Sequence, residues 1–126
     1  MIAGPSYSSM GETMSFFIVT MTHPDGEAWR THLAAHVEYL NLLVADGTLK
    51  ASGPLKRISK RSDFLIFLAK DEGDVRALVD KDPFGIEGLI ETLSIIEWDP
   101  LFGQFANESS GQLAGQPVTA FGRAVS

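Results

Sequence analysis

The sequence predicts an α+β fold of ferredoxin-like plan, strand–helix–strand–strand–helix–strand, with both helices on one face of an antiparallel sheet. Three observations predict it. The runs SFFIVTMT (15–22) and SDFLIFLAK (62–70) are apolar, β-branched and aromatic, and read as buried strands. Between them, from Glu27 to Asp46, Trp29, Leu33, Val37, Leu40 and Val44 recur at helical spacing. After the second run, Asp71 to Asp80 carries Val75, Leu78 and Val79 on one helical face, and GLIETLSIIEWDP (88–100) supplies a last strand.

The elements follow in order. Residues 1–14 are rich in Gly, Ser and Met without a period and read as a flexible lead-in. The turn His23-Pro24-Asp25-Gly26 stops the first strand, and Asp25 is expected to cap the helix that follows, with Glu27 near its positive end. Gly47 ends that helix. TLKASGPL (48–55) is a short extended segment closed by Gly53-Pro54, and KDPFGIEG (81–88) reads as a break. The domain is expected to span 15–104. Residues 105–126, with Phe105 and Phe121 scattered among Gly, Ser, Gln and Ala, read as an arm docking on a neighbour or as a disordered tail. The sheet face away from the helices needs a cover, and in so short a chain a second copy is the simplest one, so a homodimer is expected.

Composition narrows the function classes. The 126 residues suit one domain, and the 44 % apolar and 21 % charged shares are those of an ordinary globular protein. No apolar run approaches the ~18 residues of a membrane span, and the N-terminus has no signal-peptide pattern. The absence of cysteine removes disulfides and thiolate chemistry and fits a reducing cytoplasm, the expected location. A net charge of −6 argues against a nucleic-acid partner. The one basic cluster, KRISKR (56–61), reads as a solvated loop between strands.

Two histidines four apart, His32 and His36 in THLAAHVEYL, lie on the first helix. At ~100° per residue His36 falls inside the apolar stripe, while His32 lies about 60–80° to one side. Their spacing permits a shared metal ion, but Leu33 stands where the zinc-protease signature has glutamate, and no cysteine or third histidine is at hand; neither a metal nor another cofactor is expected. On periodicity alone His36 is either a core histidine held by one hydrogen bond or a general acid–base group. Asp82, in KDPF, reads first as the cap of a short helix with Pro83 at its first position. The remaining acids read as solvated or helix-terminal charges.

The succession AHVEYLNLLVADGTLKASGPL, an apolar strand, then DKDPFGIEGLIETLSIIEWDP resembles the YCII-related domain family over roughly residues 15–104. The resemblance implies a ferredoxin-like fold that dimerises through its sheets, and an active-site dyad whose positions here are His36 and Asp82. A capping and an orienting role are compatible for Asp82, since a carboxylate has several lone pairs. His32 has no counterpart in the family pattern.

A His–Asp pair without a serine or cysteine nucleophile implies proton transfer: Asp82 fixes the imidazole and His36 moves a proton on a small substrate. Precedent in the family and its relatives includes dehydrochlorination of a chlorinated hydroxyhydroquinone and lactone isomerisation, which places the expected reaction among lyases or isomerases. Ser52, Gly53, Pro54 and Phe84 are candidate pocket walls, each with ordinary turn or core duty as its other reading. A non-catalytic small-molecule binder, an accessory subunit or an assembly module stays open at this point.

Overall fold

The computed structural model describes residues 13–113 and 116–117. Its elements are β1 (Ser15–Thr22), α1 (Trp29–Ala45), β2 (Leu49–Pro54), β3 (Ser62–Ala69), α2 (Glu72–Lys81), α3 (Pro83–Ile86) and β4 (Thr92–Trp98). They are followed by a single 3-10 turn (Ala106–Glu108) and two short paired strands, β5 (Gln112–Leu113) and β6 (Gln116–Pro117). The main sheet is antiparallel in the order β2-β3-β1-β4, which is the ferredoxin-like arrangement with the two longest strands at its centre. No helix among the described residues is long and apolar enough to cross a membrane.

Strand alternation assigns the faces. Phe17, Val19 and Met21 of β1 and Leu65, Phe67 and Ala69 of β3 point to the helices and meet Leu43, Val75 and Val79. Each such fully buried Phe, Val, Leu or Met side chain contributes roughly 1.5–3 kcal/mol. Tyr39 ties the two long helices together by donating its hydroxyl to the Leu78 carbonyl at 2.7 Å. Burial, with the charges of Asp82 and Asp46 adding, pushes its phenol up to about 12.

Several expectations shift. The helix after the first turn begins at Trp29, capped at Ala28 by no side chain. Asp25 lies too far ahead of it to cap; its carboxylate is exposed and faces Lys60 at 3.5 Å. The segment read as a break, 81–88, contains α3. The lead-in falls almost wholly outside the described residues, which begin at Thr13, and so do the end of the tail and Phe121. The described part of the tail folds onto its own sheet: Phe105 packs against Phe16 at 5.1 Å and Trp98 at 6.4 Å, and Asp99 binds the amide and hydroxyl of Ser110. Phe16 and Trp98 are cross-strand neighbours with edge-to-face rings, so they form an aromatic platform that Phe105 closes.

Candidate active site

The site is assembled where α1 crosses the short helix α3. Asp82 ends α2 and starts α3, with extended backbone angles and its side chain capping Phe84, whose amide donates to Oδ1 at 2.9 Å. The following Pro83 removes an amide that would lack a helical partner. The same carboxylate accepts the Nδ1–H of His36, at 2.8 Å to Oδ1 and 3.0 Å to Oδ2. Both residues are buried, 8 % and 3 % exposed, so this bond is shielded from water and its geometry is held tightly. Capping and orienting are thus performed together by one carboxylate.

Phe84 supplies the third constraint. Its ring lies flat on the imidazole of His36, with centres 3.9 Å apart and planes 3° from parallel. In the neutral ring, with Nδ1–H donated to Asp82, the lone pair is on Nε2. Nε2 has no hydrogen-bond partner among the described residues, and no buried side-chain nitrogen or oxygen there is left unpartnered, so it is accessible. His36 lines a cavity of about 540 Å³, bounded on one side by α1 and on the other by β2 and the start of β3.

That cavity corrects the role of the apolar stripe. Leu33, Val37 and Val44 are 40 %, 46 % and 53 % exposed, because the stripe forms the cavity's wall instead of facing the core. The face of α1 that packs inward is centred on His36 and Leu43. Ser52, Gly53, Pro54 and Phe84 all line the same cavity as His36. His32 does not; its ring is turned to Glu87 at 3.8 Å, and the two imidazoles of α1 diverge to different partners.

Sequence reasoning passed over a second histidine–aspartate pair. His23 is 1 % exposed and bonds Asp63 Oδ2 through Nε2 at 2.8 Å and the Leu89 carbonyl through Nδ1 at 2.7 Å. Both nitrogens face acceptors, which the doubly protonated imidazolium satisfies. Burial works against that charge, but the Asp63 hydrogen bond, the Leu89 carbonyl and the Asp63 charge outweigh burial and the nearby Arg61, and the net pKa is raised. His23 meets the edge of Phe84 at 5.5 Å, so one phenyl ring separates the two pairs. The signal was available: extending the period of two from Phe17, Val19 and Met21 puts His23 on the inner face, and the same step back from Leu65 puts Asp63 and Arg61 there. Both line the cavity, so the basic cluster is not wholly a solvated loop.

The YCII-related domain matches residues 14–99. Among solved structures, 5-chloro-2-hydroxyhydroquinone dehydrochlorinase (TftG) of Burkholderia phenoliruptrix AC1100, in complex with 2,5-dihydroxybenzoquinone, is similar at 25 % identity and a TM-score of 0.60, covering 70 % of this chain and 95 % of that one. The Arabidopsis thaliana protein At3g17210 is similar at 15 % identity and a TM-score of 0.45, over 77 % of this chain and 98 % of its own. No curated protein matches.

Proposed function

This chain belongs to the YCII-related domain family, and we propose that it is a small-molecule enzyme, lyase- or isomerase-like, in which His36 moves a proton on a substrate held in the cavity. The observation that carries this reading is His36 itself: Nδ1 is fixed by a buried carboxylate, Nε2 has no partner among the described residues, and the residue lines a largely apolar cavity. Asp82 selects the tautomer and stabilises the imidazolium formed when Nε2 takes a proton. The parallel contact with Phe84 keeps the ring from swinging about its side-chain bonds. In an elimination the leaving group departs with its electron pair as Nε2 takes the proton. In an isomerisation the same nitrogen returns the proton to a second carbon.

Likeness to a dehydrochlorinase at 25 % identity favours the elimination and supplies the probe. Chloride release from 5-chloro-2-hydroxyhydroquinone is expected to be faster with the protein than without it, and to fall by about 10²–10⁴-fold in His36→Gln. Release that is indifferent to His36→Gln would remove the reading.

The partner expected is a second copy. On the sheet face away from the helices Ile18 lies between Ile66 and Ile96 across three adjacent strands, and Ile96 is 61 % exposed. Burying such a row between two copies of one face makes a closed, isologous contact.

A further inference from the structure

Arg61 is the charge in this cavity that neither serves the proton-transfer scheme nor has an ion-pair partner among the described residues. It stands just ahead of β3, half-buried, with its guanidinium 4.8 Å from the centre of the Trp29 ring. Arg30 packs on the same indole at 4.9 Å, but it bonds Glu27, whereas Arg61 has no carboxylate within ion-pair distance among the described residues. The natural partner for Arg61 is Asp63, two residues on along the same strand face and lining the same cavity. His23 engages its Oδ2 at 2.8 Å from a position 1 % exposed, and no ion pair joins Asp63 to Arg61 among the described residues. Arg61 is thus a cation without an ion-pair partner among the described residues, lining a largely apolar cavity in a chain whose net charge is −6.

The two polar ends of the cavity are separated along α1. Trp29, which carries Arg61, precedes His36 by about two turns, a rise of about 10 Å. That span leaves room for one substituted aromatic ring with a polar contact at each end. Leu33, Val37, Leu40 and Phe84 line the space with them. The other carboxylate at the site, Asp82, is buried behind His36 and does not reach the Arg61 end.

We propose that Arg61 is the specificity-determining residue of this site, selecting small aromatic monoanions (a carboxylate or an ionised phenol) whose charge pairs with its guanidinium while the reacting end meets His36. His23 is a positioning residue that acts through Asp63. The proposal rests on the proton-transfer reading for what happens at the reacting end, but anion selection is measurable without turnover.

Binding of benzoate and of its neutral isostere benzamide, followed by amide shifts in NMR titrations, tests it, with 4-nitrophenolate as a second anion to distinguish phenolate from carboxylate. Wild-type protein is expected to bind at least one of the anions about tenfold or more tighter than benzamide. Arg61→Gln should abolish that preference while leaving benzamide within about twofold, and Arg61→Lys should retain part of it. His23→Gln should weaken the anion by releasing Asp63 to Arg61, and adding Asp63→Asn should restore it. An unchanged anion-to-benzamide ratio in Arg61→Gln overturns the proposal, as does failure of both anions to bind wild-type protein at millimolar concentration. His36→Gln separates the two readings: it is expected to stop turnover and keep the ratio. Turnover that survives His36→Gln counts against the proton-transfer scheme alone.

Discussion

The imidazole of His36 and the phenyl ring of Phe84 lie parallel, 3.9 Å apart, and both are anchored to the carboxylate of Asp82, one by its Nδ1–H and the other by its backbone amide. The stack and the hydrogen bond fix different degrees of freedom of one ring. Phe84→Leu keeps the bulk and the amide but removes the flat contact. It is expected to cost about 1 kcal/mol in stability and to lower kcat more than it raises KM. Urea melts and steady-state kinetics on the same preparation measure both.

Asp82→Asn keeps a competent helix cap, since asparagine caps about as well as aspartate, so the fold should hold to within about 1 kcal/mol. The amide can offer His36 either a donor or an acceptor and no longer enforces the Nδ1–H form. The expected result is a near-native melting curve with a rate lowered by about 10²–10⁴-fold. Nitrogen-15 shifts of the imidazole give the tautomer directly. A rate unchanged in Asp82→Asn would mean the carboxylate only caps.

Gly85 lies in α3 with its backbone tight against the end of α2. A Cβ built on it would stand 2.4 Å from the Val79 carbonyl oxygen, and that oxygen belongs to the backbone and cannot swing away. Gly85→Ala is therefore expected to displace α3 and destabilise the protein by about 1–3 kcal/mol, with loss of activity because Phe84 moves too. Thermal denaturation by circular dichroism tests the stability, and the aromatic proton shifts of Phe84 report the displacement.

His23 makes stability depend on pH. Its pKa in the folded protein is raised above the ordinary 6.5: burial acts to lower it, and the Asp63 bond, the Leu89 carbonyl and the Asp63 charge reverse that. A raised value means the charged pair contributes fully below pH 6.5 and is lost as pH rises through the folded value. Melting temperature should fall across the interval just above pH 6.5, and a His23→Gln variant should lack that component. A variant whose pH profile parallels wild type would place the dependence elsewhere.

Ile96→Lys puts a charge at the exposed end of the Ile66–Ile18–Ile96 row without touching the helix side of the sheet. If a second copy covers this face, sedimentation velocity should show dimer for the wild-type chain and monomer for the variant at micromolar concentration. A variant that sediments as wild type would relocate the contact.

The strand and helix order was legible because periodicity records which side of each element is dry. The failures have the same origin. Periodicity cannot tell a dry core from an apolar cleft, so the stripe Leu33–Val37–Val44 was assigned to the interior when it lines the cavity. His36 survived that error, since it lies on the buried face, at the edge that borders the stripe. Its partner was not readable from the residues alone: 46 positions separate it from Asp82, and only the resemblance linked them. His23 was missed because a histidine before proline looks like turn chemistry, although the alternation of β1 continues through it. Gly85 gave no sign at all, because its constraint is the approach of another segment's carbonyl.

Pro54 was introduced as a wall of the cavity, but it also lies on β2, an edge strand of the sheet. The neighbouring Leu55 amide points inward to Ser62, so alternation turns position 54 outward, where proline offers no N–H. The residue that borders the ligand space also leaves the sheet margin one donor short and blunts recruitment of a further strand. A substitution made there to widen substrate range would open that margin, and its first symptom would be self-association through β2 and not altered catalysis.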